Sequence, residues 1–392
     1  MSRTVFLHVG LPKSGTSYLQ KTLTANKDDL ERAGLLFPGR AWVDQVRAVQ
    51  DVRQMPLGPA KRRRVTGAWN RLVTEIAAWP DDALISMEWL SPASTDRIRV
   101  MVDDLRPARL QEIFTARDLA RTVPAAWQEF MQNRDEWTWP EFLESVVSDD
   151  ASPGSPGARF WAQQDLAALL RSWTEVLPLE DVHVVTLPHP GAAPDVLWER
   201  LCQVLGRSYP HGRPAAGSNS SLGMESAEMM RRLNRLARED GLPTALYQKA
   251  FKHELAKGVL AERTRAESRL VLPPEHHEWA RREAARQIEA VRACGVHVVG
   301  DLTELEPVLD PSPGPQPQDV PDAVLLDIAL AALVSMARRW GPAMDSAGKL
   351  RTENDRLRAQ VEHLERHPAR AALGRYARAA RTRASALRRP RG

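Results

Sequence analysis

Cysteine is nearly missing from this chain of 392 residues: Cys202 and Cys294 are the only two, far apart in sequence. That excludes a disulfide framework and a cysteine-based metal site, and it suits a reducing compartment. Long hydrophobic runs are missing as well. The first apolar stretch, Val5 to Leu7, has the length of a strand, not of a secretory signal. The most apolar later run, Ala323 to Ala337, is too short to span a bilayer and contains Asp327. These absences predict a soluble, cytoplasmic protein. Metal-ligand spacing is also lacking. His276 and His277 adjoin a helix start after "LPPE" with no partner at ligand distance, so no metal is expected.

Charge is present in both signs but unevenly placed. The formal net charge is +4, yet the segment from Arg366 onward carries nine arginines and no acid, which leaves −5 on everything before it. The body is mildly acidic and the C-terminal tail strongly basic. Apart from Tyr376 the tail has no aromatics, and no specific nucleic-acid partner is expected. Two readings of it stay open: weak contact with an anionic membrane surface, or a solubilising tail.

Apolar runs of strand length alternate with segments of helical period. Strands are expected over Thr4–Val9, Ala83–Met87, Leu110–Ala116 and Val182–Leu187, with a short one over Val296–Val299. Helices are expected from Thr16 to near Gly34, over Leu119–Asn133, Ala162–Val176 and Ala193–Leu205, and over most of the chain from Gly223 to Cys294. Thr138, Pro140 and Glu141 supply a cap, a first-turn proline and a capping-box partner for a helix through Val147. Alternation of this kind predicts an α/β domain over residues 1–309 with a largely parallel sheet flanked by helices. The proline-rich run 310–322 reads as a linker, 323–365 as a helical appendage and 366–392 as the basic tail. In the appendage Leu350, Leu357 and Leu364 recur every seven residues, with Asn354 and Val361 at the other core position. Glu353 and Arg358 stand where two parallel chains would pair them. A homodimer through a short coiled coil over 343–365 and a single amphipathic helix packing on its own domain are both compatible with this pattern.

The first strand runs into "HVGLPKSGTSYLQ", His8 to Gln20. A helix start presents unpaired N–H groups and partial positive charge, and an anion fits there. Gly10 and Gly15 allow a tight turn and close approach to the backbone, Thr16 and Ser17 offer hydroxyls, and Lys13 adds a full charge. A nucleoside-triphosphate loop would have lysine directly after the second glycine; here Thr16 follows Gly15, which argues against a kinase or ATPase. An ordinary glycine-containing turn is the plain alternative.

"LPKSGTSYLQ" resembles the 5′-phosphosulfate loop of the sulfotransferase family, in which the lysine precedes the glycine. The resemblance spans roughly Met1 to Asp301 and rests on a few short motifs. It implies a P-loop-like parallel sheet and 3′-phosphoadenosine 5′-phosphosulfate as donor co-substrate, with no metal. By the resemblance, Lys13 contacts the transferring sulfuryl group, and Ser14, Gly15, Thr16 and Ser17 cradle the 5′-phosphate. "FTARDLARTVPAAWQEF" resembles the family's 3′-phosphate motif and places Arg117 on its arginine. The serine usual eight positions later is Ala125 here, preceded by Pro124, and Thr122 is the nearest candidate to substitute for it.

The base candidate is Glu88 in "LISMEWLSP", just past the second predicted strand, at the end where parallel sheets place their ligand crevice. With Ser86 before it, the stretch looks like the family's glutamate version. Carbohydrates, glycolipids and small metabolites with a hydroxyl are the implied acceptors. An inactive nucleotide-binding relative acting as a dimerising partner, and a P-loop kinase, are the alternatives.

Weaker candidates have plain structural readings. His8 and His183 lie within strands and are expected to be packed, and Trp161 and Gln164 to be helix-packing residues. Lys61, Arg62, Arg63 and Arg64 read as a solvated face that an anionic acceptor could also use. The loop and helix "GSNSSLGMESAEMMRRLN", with Arg231 and Arg232, read as a helix N-terminal segment.

Overall fold

The computed structural model describes residues 3–210, 212, 222–311 and 314–366. Six strands form one sheet: β1 (Thr4–His8), β2 (Leu35–Leu36), β3 (Asp82–Ser86), β4 (Arg109–Ala116), β5 (Val182–Thr186) and β6 (His297–Val299). Their order is β2-β3-β1-β4-β5-β6, and every pairing is parallel. Helices cover both faces, which is the α/β architecture the alternation implied. It also explains why the strands read as continuous apolar runs rather than alternating ones. Val5 and Leu7 enter one core with Ile85, Phe114 and Val184, while Phe6 enters the opposite core with Leu84, Ile113 and Val185.

β1 lies between β3 and β4, with His8 level with Ser86 on one side and Ile113 on the other. The connections leaving these three strands therefore emerge side by side at one edge of the sheet. This is where a doubly wound sheet opens its crevice.

The elements depart from sequence expectation in identifiable ways. The helix expected from Thr16 to Gly34 is two, Thr16–Ala25 and Lys27–Arg32, because Asn26 turns its side-chain amide back onto the Thr22 carbonyl at 2.8 Å. Gly34 then adopts φ +86° and delivers the chain into β2, whose two residues are too few to show a period. The helix expected over 162–176 is likewise two, Pro156–Gln164 and Leu166–Thr174; the Asp165 carboxylate caps the second by accepting from the Ala168 amide at 3.2 Å. The Thr138 capping box forms as expected. Glu141 accepts from the Thr138 amide at 2.8 Å, and Thr138 Oγ1 accepts from the Glu141 amide at 3.3 Å. Between Gln248 and Lys257 the backbone is π-helical, a rare conformation.

The chain divides into two compact units, residues 1–328 and 329–392. The proline-rich segment belongs to the first: Gln316 accepts from the Trp139 indole at 2.7 Å, and Pro317 is buried. The described part of the second unit lies within the helix Asp322–Arg366, on which Leu350, Leu357 and Val361 are half or more exposed. The arginine-rich tail beyond Arg366 lies outside the described residues, as do residues 217–221 of the loop before the Met224–Glu239 helix. Among the described residues no helix is long and apolar enough to cross a membrane.

Candidate functional site

The loop after β1 is tied to β4 before it turns. The Val9 amide donates to Ile113 O at 3.0 Å and the Leu11 amide to Thr115 O at 2.8 Å. Gly10 sits where a Cβ would come within 2.4 Å of Thr115 Oγ1 and 2.6 Å of Thr16 Cγ2, so no side chain fits. Lys13 at φ +69° and Gly15 at φ +89° then reverse the chain through two left-handed residues. The helix opens at Thr16 with no side-chain cap and no acid in its first turn. Among the described residues the amides of Gly15, Thr16 and Ser17 donate to no carbonyl, while those of Tyr18 and Leu19 already donate to Gly15 O. Three adjacent donors with the helix's positive end behind them make an anion seat.

The predicted loop residues take different roles within it. Ser14 is buried; its hydroxyl donates to Leu11 O and is 2.6 Å from Thr115 Oγ1, so it holds the turn closed. Thr16 is buried and Ser17 half-buried at the seat itself. The Lys13 ammonium lies 2.9 Å from Glu129 of the Leu119–Gln132 helix. Burial works to raise the Glu129 carboxyl, but Lys13, with Lys252 and Lys257 beyond it, outweighs burial and holds it below the usual carboxylate range.

Glu88 opens a short 3-10 turn after β3. Gln20, on the helix that the loop starts, donates to Glu88 Oε2 at 2.7 Å and to Ser86 O at 3.3 Å. This carboxyl is therefore fixed relative to the anion seat. Burial pushes its pKa up, and Glu129 adds to that while the Gln20 hydrogen bond and Lys13 oppose it. A carboxylate with a raised pKa is a stronger proton acceptor.

Arg117, just past β4, donates to the Lys13 carbonyl at 3.1 Å. Its Nε is buried without a partner. Burial brings the guanidinium down to about 10, with Arg121 and Arg269 pushing the same way and Asp118 opposing. Arg117 also lines a cavity of 790 Å³ together with Pro124, Ala125, Gln128, Ser268 and Arg269. Pro124 lacks the N–H that would bond the Ala120 carbonyl, and Ala120 lines the same cavity.

Lys13, Gly15, Thr16, Ser17, Glu88 and Arg117 thus converge at one edge of the sheet. Thr122 is buried with an unpartnered hydroxyl and does not line the cavity. Arg121 lines it, but its guanidinium is engaged by Asp118 and by the carbonyls of Pro188 and Leu187.

Sequence reasoning missed Gln20, Glu129, Ser268 and Arg269. Gln20 and Glu129 each carried a weak signal, since they lie inside the two quoted motifs. Nothing local marks Ser268 or Arg269. Gln164 has a clearer role than expected: it donates to the Pro12 carbonyl at 2.8 Å and braces the loop.

The remaining candidates are structural. His8 is fully buried between Ser86 Oγ at 2.7 Å and Thr115 Oγ1 at 3.2 Å, and burial lowers it to about 4. His183 faces His297 across β5 and β6 at 3.1 Å. His277 Nε2 contacts Leu272 O at 3.1 Å, and Trp161 donates to Val146 O at 2.9 Å. Arg231 and Arg232 both bind Glu228. Lys61, Arg62, Arg63 and Arg64 are exposed on the Pro59–Val65 helix. No group of three metal-ligating side chains occurs among the described residues.

No family model matches the chain, and no curated protein does. Two solved structures do. A sulfotransferase from Alicyclobacillus acidocaldarius has 17% identity and a TM-score of 0.38, over 64% of this chain and 100% of that one. A sulfotransferase domain from the curacin biosynthetic pathway has 12% identity and a TM-score of 0.31, over 56% and 81%. The chemistry of the site is read from its own residues.

Proposed function

We propose that the chain is a sulfotransferase that moves a sulfuryl group from 3′-phosphoadenosine 5′-phosphosulfate to an acceptor hydroxyl. One observation carries the reading: a three-amide anion seat, a cationic side chain, a base of raised pKa and a half-partnered arginine meet at one sheet edge. Gln20 and the Lys13 carbonyl link them to each other.

The residues present fit such a donor. The amides of Gly15, Thr16 and Ser17 would hold the 5′-phosphate, and Arg117, whose Nε is buried without a partner, lines a cavity large enough for a nucleoside. Ser268 and Arg269 line that cavity beside Ala125 and offer the hydroxyl and charge that the alanine lacks. When bound, the donor supplies an activated sulfuryl group and a phosphate leaving group. Lys13 places a positive charge where negative charge builds on the leaving oxygen. This preorganised stabilisation is the largest contribution a protein makes to such a transfer. Glu88 takes the proton of the acceptor hydroxyl, with Gln20 fixing the carboxylate in line.

Ala125 favours a second reading, a relative that binds the nucleotide without turning it over. A kinase is disfavoured because no lysine follows Gly15. Thermal unfolding with adenosine 3′,5′-bisphosphate, ATP and AMP tests the donor. A ligand at a hundred times its Kd adds about 2.7 kcal/mol. The melting temperature is expected to rise with the bisphosphate only, and a rise with ATP and magnesium alone would overturn the assignment. Sulfuryl transfer to a supplied acceptor separates the active enzyme from the silent relative.

A further inference from the structure

Resting on the sulfotransferase reading, we infer that Glu225 is a positioning residue for the donor. Together with Glu267 it clasps the segment 267–269 to the N-terminus of the Met224–Glu239 helix, and so sets Ser268 and Arg269 against the donor's 3′ end.

The clasp works as a capping box shared between two remote stretches. Gly223 stands at the cap position of the helix and has no side chain to offer the open amides. Glu267 supplies the cap instead. Its Oε2 accepts from the Ser226 amide at 2.9 Å, and its Oε1 accepts from the Ser226 hydroxyl at 2.6 Å. A Cβ on Gly223 would overlap Glu267, so the glycine makes room for the foreign cap. The helix holds the segment in return. Glu225 accepts from the Ser268 amide at 3.0 and 3.2 Å, and the Met224 amide donates to Ser268 O at 3.3 Å. Both backbone groups of Ser268 are therefore taken.

The clasp stands at the wall of the Arg117 cavity. Glu267, Ser268 and Arg269 line that cavity, whereas Glu225 and Ser226 do not. Gln128 lines it too, and its amide donates to Leu222 O at 2.7 Å. That bond ties the same helix start to the Leu119–Gln132 helix, which carries Ala125. A carboxylate in an anion's cavity would ordinarily repel the anion. Here the Glu267 oxygens are spent on Ser226 and on Arg263, whose Nε donates at 3.2 Å. Among the described residues the Ser268 hydroxyl and the Arg269 guanidinium have no hydrogen-bond partner. The backbone is thus fixed while the groups that would meet a 3′-phosphate stay open, and donors held in place beforehand bind at a smaller entropic cost.

Charge and position predict opposite outcomes. By charge alone, removing Glu225 would tighten the binding of an anion; by position, it loosens it and blurs where a phosphate is accepted. Isothermal titration of the full chain with adenosine 3′,5′-bisphosphate and with its 2′,5′ isomer, equal in charge, tests this. The parent is expected to bind the 3′,5′ compound about tenfold tighter, as a charge-assisted contact would give. Glu225→Ala should abolish most of that preference by weakening the 3′,5′ compound alone. Glu225→Gln, whose amide oxygen can still accept from Ser268, should keep most of it. Ser226→Ala removes one bond of the clasp outside the cavity and should lower the preference about threefold; it decides the matter if Glu225→Ala does not fold. A preference unchanged in Ser226→Ala or in folded Glu225→Ala, or tighter binding of the 3′,5′ compound by Glu225→Ala, would overturn the inference. Equal weakening of both isomers would do the same, since it marks a general loss of structure. A parent without the isomer preference would overturn the inference and leave the donor's 5′ seat standing. A parent that binds neither isomer would sink the donor reading and the inference with it.

Discussion

Replacing Lys13 by alanine separates catalysis from stability. Burial acts on the Glu129 carboxyl, yet the Lys13 side chain is 20% exposed and that of Glu129 44% exposed, so water still reaches and screens the pair. Its loss should cost about 0–1 kcal/mol of folding free energy. The backbone at φ +69° is no more strained by alanine than by lysine, whereas glycine would relieve it and confuse the comparison. In the proposed mechanism the same ammonium stabilises transition-state charge that is absent from the ground state. Removing one such group costs about 100- to 1000-fold in turnover. Transfer of a labelled sulfuryl group, measured beside thermal unfolding, should show that loss with a nearly unchanged melting temperature. A turnover loss smaller than about tenfold would refute the role given to Lys13. The converse variant, Glu129→Gln, frees Lys13 from a competing carboxylate. Affinity for adenosine 3′,5′-bisphosphate should then rise by about two- to fivefold, within the range of one screened pair. A fall in affinity would mean that Glu129 positions Lys13 instead of competing for it.

Other expectations can be checked on the same protein. Turnover should climb with pH through a value above the usual carboxylate range, as Glu88 ionises. Glu88→Gln should remove that limb and lower turnover by about 100-fold or more, as loss of a general base does; an unchanged pH profile would rule Glu88 out. Glu112, on β4, is fully buried with neither oxygen partnered, and burial raises its pKa well above the ordinary value. Such a group favours the fold at pH below the unfolded carboxyl's pKa, and that contribution is lost as pH rises through the folded value. Glu112→Gln should therefore melt higher than the parent at neutral pH, with the gap closing near pH 4; a parallel pair of curves would contradict this. We also propose that the exposed heptad face bearing Leu350, Asn354, Leu357 and Val361 pairs with a second copy in parallel, with Glu353 facing Arg358 of the other chain. Light scattering should give a dimer that Leu350→Glu with Leu357→Glu converts to monomer, and a parent already monomeric would end the idea.

The sequence by itself determined the α/β architecture, because the period of apolar residues and the caps are local. Thr138 with Glu141 places a helix start within a few residues, and Val5 to Leu7, a short apolar run ahead of a glycine-containing turn, reads as a strand buried on both faces. The turn between the first strand and its helix was equally legible, since all of it lies between Gly10 and Ser17. Only the tertiary structure decided which residues meet across it. Glu129 reaches Lys13 because two neighbouring strands, β1 and β4, send their chains out at the same edge. Ser268 and Arg269 reach the Arg117 cavity after a further 150 residues of chain. Ser14, by contrast, turned inward to close its own turn, a choice set by Thr115 of β4. Local sequence dictates backbone shape, whereas the charge and company of a side chain depend on sheet order, which no short stretch encodes.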